Sequence, residues 1–352
     1  MSNLRKIIDT VRTLSSPVVV VGSANVDMTV VVERIPKAGK TVQGGPLALL
    51  PGGKSLNQAT ASALLGAPTA FIGAVGNDDN GNFLLNAMQL AGVNTTHTAR
   101  VGTPTSCALI AVNAKGEPAI VVSQGANQRM DVDALETARS AIEQANVLGL
   151  ALEIPMETVI RAARIAKAAD TITVLNGAPR TGTLPPELLT NIDVLIVDES
   201  EIEKIVGPVD GDWVETQKRL RELGVTKVVI TLGPVGALVI HDQIEPVAPA
   251  DVEIVDTTGC GDAFTGGMLA ALGAGASLID AARFGAIVAA YSATGRGASA
   301  SYGTLEEIER QLFRADQLLR ESYAAGQEIS RRCLLLDMIK ADIHSSSRSD
   351  HD

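Results

Sequence analysis

The segment from Val252 to Gly267, VEIVDTTGCGDAFTGG, holds the residues with the clearest chemistry. The β-branched residues at its start predict a strand, the glycines of TTGCG predict a tight turn, and a helix is predicted from about Asp262 onwards. Amide N–H groups at such a helix start, together with the helix dipole, form an anion site. A carboxylate at Asp262 would repel a phosphate there unless it accepts a proton. The segment therefore predicts phosphoryl transfer to a hydroxyl group.

A second polar segment, GSANVD at residues 22–27, directly follows the apolar run VVVVG. Ligands of α/β proteins bind at the carboxyl ends of parallel strands, and Asn25 and Asp27 point to the same side of an extended chain. An amide beside a carboxylate suits the neighbouring hydroxyls of a sugar. The alternative is an Asx turn that only starts the next strand.

Two glycines precede a predicted helix in PGGKSLNQ, residues 51–58. The P-loop pattern needs a glycine at position 48, where Ala48 stands, so a phosphate loop is disfavoured. The preferred interpretation is a ligand loop, in which the amides of Gly52–Gly53 and the side chains of Lys54 and Asn57 contact polyol oxygens. The alternative for Lys54 is a solvated lysine at a helix start.

Three acidic residues follow apolar runs of strand type. Glu153 comes after VLGLAL and either binds a ligand hydroxyl or lies at a helix start or on the surface. Asp198 and Glu201 could share one helix face and hold Mg²⁺ through water, although acids also favour helix N-termini for dipole reasons. The segment TLGPVG, residues 231–236, indicates a turn that lets the backbone approach a nucleotide, and a plain hairpin turn explains it equally well.

The alternation of buried strands with helical patterns predicts an α/β fold, with a mostly parallel central sheet flanked by helices. The predicted strands are Val18–Gly22, Ala70–Gly73, Val147–Leu150, Thr173–Leu175, Val194–Val197 and Val228–Thr231. The predicted helices are Ser55–Leu65, Gly81–Ala91, Asp133–Gln144, Met156–Ala169, Glu199–Val206, Val214–Leu223, Ala263–Leu272 and Ile279–Ala293.

Two regions depart from this alternation and predict a small projecting β-sheet. Residues 27–50 have the pattern of antiparallel strands, and residues 106–112 and 119–123 flank the hairpin turn NAKGEP. Beside a small-molecule site such a sheet would act as a lid, the alternative being an edge hairpin of the main sheet. The expected division is an α/β core (17–26, 51–104 and 125–315), a β lid (27–50 and 105–124), an N-terminal extension (1–16) and a partly disordered C-terminal extension (322–352).

Composition narrows the possible partners of the 352-residue chain. A net charge of -11 argues against nucleic acid and anionic membranes, and no apolar run approaches the roughly 18 residues of a membrane span. Cys107, Cys260 and Cys333 predict neither a disulfide framework nor a zinc site, which fits a reducing cytoplasm. With four histidines in the chain, histidine triads and histidine metal sites are poor candidates. The dinucleotide-binding fingerprint is disfavoured because Phe264 replaces its third glycine.

Taken together, these motifs resemble the ribokinase-like, or phosphofructokinase-B-type, sugar kinases. GSANVD, PGGKSLNQA, the GAN of residues 125–127, TLGPVG and DTTGCGDAFTGG occur in the family's order between about Val18 and Gly303. The resemblance implies ATP-dependent phosphorylation of D-ribose at its 5-hydroxyl and a homodimer formed through the β lid. The alternatives are a kinase for another small sugar or nucleoside, such as deoxyribose, and a catalytically silent sugar-binding protein on the same fold.

The resemblance also implies roles for individual residues. Asp262 is expected to be the general base, beside an anion hole formed by the backbone of Gly259, Cys260 and Gly261. Ribose is expected to contact Asn25, Asp27, Gly53, Lys54, Asn57 and Glu153. ATP is expected to contact Asp198, Thr231, Gly233, Gly236 and Gly261. Glu201 corresponds to the acid of the family's magnesium motif, and a monovalent cation, usually K⁺, is expected at Asp256, Thr258, Ser292, Gly295, Gly297 and Ser301.

Three positions depart from the family pattern. Asp198 replaces the asparagine of the magnesium motif, which adds a negative charge near ATP. Cys260 replaces an alanine of the anion hole, and its position at a helix N-terminus predicts a lowered thiol pKa. Ala286 stands where many relatives carry a polar side chain near the adenine. None of the three belongs to the sugar-binding set.

Overall fold

The computed structural model describes residues 2–14, 16–179, 183–250 and 252–312. Its strands are β1 (Val18–Val21), β2 (Asn25–Val31), β3 (Ala48–Gly52), β4 (Thr69–Gly76), β5 (Thr98–Val101), β6 (Cys107–Val112), β7 (Pro118–Ser123), β8 (Val147–Leu150), β9 (Ile172–Asn176), β10 (Val194–Asp198), β11 (Val228–Thr231), β12 (Ala237–Ile240) and β13 (Ile244–Val247). Its helices are α1 (Ser2–Thr13), α2 (Lys54–Leu64), α3 (Asp79–Leu90), α4 (Val132–Glu136), α5 (Arg139–Glu143), α6 (Met156–Ala168), α7 (Pro186–Leu189), α8 (Glu199–Val206), α9 (Trp213–Glu222), α10 (Cys260–Gly273), α11 (Leu278–Ser292) and α12 (305–312).

The larger sheet has the strand order β13-β12-β11-β10-β9-β8-β1-β4-β5 within the described residues. Strands from β11 to β5 are parallel to their neighbours, and β12 and β13 add an antiparallel edge. The sheet is covered on both faces: Val18 and Val20 pack into one core with α1–α3 and α10–α12, whereas Val19 and Val21 pack into the other with α4–α9. This two-sided burial explains the continuous apolar runs of the strands, and the predicted α/β fold is confirmed.

A separate four-stranded sheet has the order β3-β2-β6-β7. Strands β2 and β3 form an antiparallel pair, as do β6 and β7, and β2 runs parallel to β6. Because these strands pair with each other and not with the larger sheet in the described part of the chain, the edge-hairpin alternative is wrong. The small sheet leads directly into the site, since β2 begins at Asn25 and β3 ends at Gly52, two residues before Lys54.

Two predicted elements differ from the structure. The predicted strand at Val252–Val255 does not form: the amides of Val255 and Asp256 donate instead to the carbonyl of Ala293, at 2.8 and 3.3 Å. Strand propensity is expressed only where a neighbouring strand supplies the ladder, and here the partner is the end of a helix. The predicted helix 133–144 is divided into α4 and α5. At the break, the amides of Ala138 and Ala141 donate to carbonyls three residues earlier, at 2.9 and 3.0 Å, which is a 3-10 pattern and not an α-helical one.

The two ends of the chain are described to different extents. Helix α1 lies within the expected N-terminal extension and buries Ile7, Ile8 and Val11 in the core. Arg12 of α1 forms an ion pair with Glu309 of α12. The expected C-terminal extension, 322–352, lies outside the described residues. In the part of the chain that is described, no helix combines the length and apolar character that a membrane span requires.

Candidate active site

Asp262 lies in the first turn of α10, which begins at Cys260, earlier than the predicted start at Asp262 or Ala263. Gly259 precedes the helix with a φ of 76°, and a Cβ there would lie 2.7 Å from the hydroxyl of Tyr302, so this position requires glycine. The Cys260 amide donates to the Thr257 carbonyl at 3.2 Å, and Gly261 faces open space. The start of the helix therefore presents backbone and a carboxylate, with little side-chain bulk.

Two amide side chains of α2 hold the Asp262 carboxylate. Asn57 Nδ2 donates to Oδ2 at 3.0 Å, and Gln58 Nε2 donates to Oδ1 at 3.1 Å. Burial raises the pKa of Asp262, while the charge of Lys54 and the two amide donors act in the opposite direction. Asp262 is thus a buried carboxylate with an elevated pKa, which is the property a general base needs.

A cleft of about 180 Å³ opens beside Asp262 at the carboxyl ends of β9, β10 and β11. It is lined by Lys54, Asn176, Ala178, Ile196, Val197, Asp198, Glu201, Thr231, Gly259, Gly261 and Asp262. Burial lowers the pKa of Lys54, but the negative charges of Asp262, Glu153, Glu201 and Asp198 outweigh it and the net pKa is raised. Lys54 is therefore a cation at neutral pH, placed in the cleft beside the carboxylate of Asp262.

The residues predicted to bind a sugar surround the start of α2. Gly53 precedes the helix with a φ of 93°, and a Cβ there would lie 2.9 Å from the amide N of Asn25. Glu153 accepts hydrogen bonds from the Lys54 amide, at 3.0 Å, and from the Ser23 hydroxyl. Glu153 thus holds the start of α2, and not that of the helix which follows it in the chain, α6.

Asp27 and Asn25 lie on β2, close to this helix start. The Asp27 carboxylate occupies the space where a side chain at position 52 would be, with Oδ2 2.3 Å from the place of a Cβ on Gly52. Burial, together with the negative charges of Glu153 and Asp262, raises the pKa of Asp27 to about 6. The structure therefore brings Asp27, Glu153, Lys54 and Asp262 into one electrostatically coupled group.

The residues predicted to contact a nucleotide follow β10 and β11. Asp198 caps α8 by accepting from the Glu201 amide at 2.7 Å, and Glu201 Oε2 accepts from the Asp198 amide at 2.9 Å. This capping box gives both acids a structural role. Burial raises the pKa of Glu201, and the Asp198 amide opposes that shift.

The turn TLGPVG joins β11 to β12 as a hairpin loop that contains a short 3-10 helix, Gly233–Val235. A Cβ at Gly236 would lie 2.1 Å from the Val247 carbonyl oxygen, so hairpin packing alone requires this glycine. Gly233 has no heavy atom within 4 Å of its Cβ position. Thr231 lines the cleft. The turn is therefore a hairpin and also borders the site.

The residues predicted to hold a monovalent cation form one cluster at the end of α11. Asp256 accepts from the Thr258 amide at 3.0 Å, the Thr258 hydroxyl at 2.7 Å and the Gly297 amide at 2.8 Å. Burial raises the pKa of Asp256, but these three donors outweigh it and the net pKa is lowered. The hydroxyls of Ser292 and Ser301 are 2.9 Å apart. Gly295 packs against Ser301, where a Cβ would lie 2.8 Å from the serine Cβ.

Cys260 links this cluster to the start of α10. Its Sγ lies 3.9 Å from both the Asp256 carbonyl oxygen and the Ser292 hydroxyl. Burial raises the pKa of the Cys260 thiol, so the predicted lowering is wrong. Desolvation here outweighs the hydrogen bond with Ser292, which lowers the pKa, and the nearby charges of Asp256 and Asp262 act in the same direction as burial.

Two residues of the site were not assigned a role from the sequence. Gln58, which contacts Asp262, belongs to the motif PGGKSLNQ, and Asn127 belongs to the motif GAN, but neither has a predicted role of its own. Asn127 donates to Asn25 Oδ1 at 2.8 Å and accepts from the Ala24 amide at 3.1 Å, so it orients β2 at its first residue. Their partners lie more than 100 residues away in the chain, and no local pattern identifies them. Among the described residues, no group of three or more His, Cys, Asp or Glu is arranged to hold a metal.

Comparison with known proteins places these features in a family context. The model of the pfkB family carbohydrate kinases matches residues 15–305. Ribokinase from Haemophilus influenzae is 36% identical over 293 residues, covering 82% of this chain and 95% of the relative. Deoxyribokinase from Salmonella typhi is 30% identical over 300 residues, covering 84% of this chain and 98% of the relative. The solved structure of Arabidopsis thaliana ribokinase complexed with ribose and ATP matches with a TM-score of 0.78 at 31% identity, covering 84% of this chain and 98% of the other.

Proposed function

Because the chain belongs to the pfkB family of carbohydrate kinases, we propose that it transfers the γ-phosphoryl group of ATP to the 5-hydroxyl of D-ribose. The products are D-ribose 5-phosphate and ADP. The observation that carries the proposal is the placement of Asp262, buried at the glycine-rich start of α10 between the sugar-binding set and the cleft. The relatives named ribokinase, and the similar structure that holds ribose and ATP, support this choice of substrate.

In the proposed reaction, Asp262 accepts the proton of the 5-hydroxyl as that oxygen attacks the γ-phosphorus in line. One P–O bond forms to the sugar oxygen, and the bond between the γ-phosphorus and the bridging oxygen of ADP breaks. The charge of Lys54 and the backbone donors at the start of α10 stabilise the phosphoryl group during its transfer. The elevated pKa of the buried Asp262 strengthens it as a proton acceptor.

Ribose is proposed to lie between α2 and β2. The carboxylates of Asp27 and Glu153 and the amides of Asn25 and Asn57 supply donors and acceptors for its hydroxyls. Asn57 supports this placement, because its buried Oδ1 has no partner within the described residues. ATP is proposed to occupy the cleft beside Asp198, Thr231 and Gly261.

Mg²⁺ and K⁺ are proposed as the cations of the reaction. Glu201 and Asp198 are carboxylates on the rim of the cleft and fit a Mg²⁺ held through water, which when bound would neutralise charge on the phosphate oxygens. The oxygen-rich cluster of Asp256, Ser292 and Ser301 suits a hard monovalent cation. Cys260 connects that cluster to the start of α10, so a bound K⁺ would influence the anion hole.

A specific observation keeps the deoxyribose alternative open: a deoxyribokinase is among the relatives, at 30% identity over most of the chain. A catalytically silent sugar-binding protein is disfavoured because Asp262 is present with its two amide donors.

The proposed function predicts ribose-dependent release of ADP from Mg·ATP. A coupled ADP assay with a panel of pentoses, hexoses and nucleosides should give the highest kcat/KM with D-ribose, because Asp27 and its neighbours are matched to the ribose hydroxyls. The assay without sugar is the control for ATP hydrolysis. A panel in which no sugar raises ADP release above this control would contradict the proposal.

The same assay tests the monovalent cation. Activity in KCl should exceed activity in NaCl or tetramethylammonium chloride at equal ionic strength. The reason is that Cys260, at the anion hole, also contacts the Asp256 cluster. Identical rates in all three salts would show that K⁺ has no part in the mechanism.

We propose that the small sheet acts as a lid and as the surface of a homodimer. Its exposed apolar side chains are Val31, Leu47, Leu49, Leu109, Ile120, Val121 and Val122. Among them, Leu49, Leu109 and Val121 lie in one row across the sheet and so share a face, and an exposed apolar patch of this kind indicates an interaction surface. Sedimentation velocity should give a dimer at micromolar concentration that Val121→Lys weakens; a monomeric wild type would contradict the proposal.

The free thiols of Cys107 and Cys260 support a cytoplasmic location, which cell fractionation would test.

A further inference from the structure

Gln58 is a polar side chain with no exposed surface, in contact with the reactive carboxylate. Its Nε2 donates to Asp262 Oδ1 at 3.1 Å, whereas its Oε1 is buried without a partner in the described part of the chain. A buried carbonyl oxygen without a hydrogen bond is unfavourable. An apolar side chain of similar length would avoid that cost but would leave Asp262 Oδ1 without this donor, so the contact with the carboxylate is what accounts for a glutamine here.

Close packing of α2 against α10 fixes the distance between Gln58 and Asp262. A Cβ at Gly266 of α10 would lie 2.5 Å from the Ala61 Cβ and 2.7 Å from the Gln58 carbonyl oxygen. The two helices approach this closely because Gly266 has no side chain. Gln58 and Asp262 are therefore carried on two elements that cannot shift independently.

The two amides that hold Asp262 differ in how enclosed they are. The unpaired oxygens of both amides are buried, but Asn57 is 5% exposed as a residue, whereas Gln58 has no exposed surface. Gln58 is therefore the more enclosed of the two. Oδ2 of the carboxylate, held by Asn57, lies on the less enclosed side.

We propose that Gln58 is a positioning residue for the general base. By holding Oδ1, it keeps Oδ2 of Asp262 turned toward the sugar, where it receives the proton of the 5-hydroxyl. The amide must present its nitrogen to the carboxylate, which leaves the carbonyl oxygen unpaired and accounts for the unsatisfied group. This inference rests on the proposed kinase function and adds a residue that acts through Asp262.

Loss of the Gln58 donor should also change the pH dependence of activity. The Gln58 donor stabilises the charged form of Asp262, so its removal should raise the pKa of the base and move the acidic limb of the activity profile to higher pH. The other titratable groups that interact with Asp262 are Lys54, Glu153, Asp27, Cys260 and Tyr302. All five remain in a variant at Gln58, so the shift reports on the amide.

The test is Gln58→Met, which keeps the length of the side chain and removes both polar atoms. We expect kcat to fall by about 10- to 100-fold, as for other losses of reactive geometry, with the KM for the sugar nearly unchanged. The melting temperature should fall only modestly, because the loss of the unpaired carbonyl partly offsets the loss of the donor to Asp262 Oδ1. Ser55→Ala is the matched control: it removes another buried, unpaired polar atom of α2 and should leave kcat and the pH profile unchanged.

If Gln58→Met fails to fold, Gln58→Asn serves in its place, since a shorter amide cannot reach Oδ1 and should lower kcat similarly. A kcat within about twofold of the wild type and an unshifted acidic limb would overturn the proposal. The proposal would also be overturned if the loss of kcat came only from partial unfolding of the variant at the assay temperature. The comparison is made on the sugar that the wild type phosphorylates best, so a wrong choice of ribose does not obscure it; a wild type inactive on every sugar would contradict both proposals.

Discussion

Replacing Asp262 with asparagine is expected to lower kcat by about 10²- to 10⁴-fold, the usual contribution of a general base. The amide has nearly the size of the carboxylate but cannot accept the proton of the 5-hydroxyl. The change should be measured as kcat in the coupled ADP assay, with ribose affinity followed separately by calorimetry.

The surroundings of Asp262 favour a folded variant. The new amide nitrogen needs an acceptor, and the unpaired oxygens of Asn57 and Gln58 become available if either side chain rotates its amide. Ribose binding should therefore be retained while turnover is lost. Turnover within a few-fold of the wild type would show that another group accepts the proton.

The second large effect concerns the choice of sugar. We propose that Asp27 binds the 2- and 3-hydroxyls of ribose. A site built to bond a hydroxyl leaves its own polar group unpaired when that hydroxyl is missing. The cost is about 1–3 kcal/mol. We therefore expect kcat/KM for 2-deoxyribose to be lower than for ribose by about 5- to 150-fold.

Asp27→Ala provides the matched comparison for this prediction. It should weaken the use of ribose more than that of 2-deoxyribose and so narrow the gap between them. If Asp27→Ala leaves the ratio of the two kcat/KM values unchanged, Asp27 does not bind the 2-hydroxyl. A wild type that prefers 2-deoxyribose would replace the proposed substrate and leave the kinase mechanism intact.

Much of the fold was predictable because its signals are local. The six strands predicted from apolar runs all occur in the larger sheet, where burial on both faces requires apolar side chains at every position. Prediction failed at Val252–Val255, whose side chains favour a strand but whose amides meet the end of α11. It also failed at 133–144, where backbone hydrogen bonds of the 3-10 type at Ala138 and Ala141 interrupt an otherwise helical pattern.

The chemistry of the candidate site could be predicted from residue types alone: a glycine-rich helix start with Asp262, an amide and a carboxylate after the first strand, and glycines before Lys54. These are properties of residues close together in the chain. Which of these groups meet depends on the folded arrangement. Gln58 lies 204 residues from Asp262, and Glu153 lies 99 residues from Lys54. Such contacts depend on how closely α2 packs against α10 and on how the strands align at one edge of the sheet, and no local pattern of residue types encodes those distances.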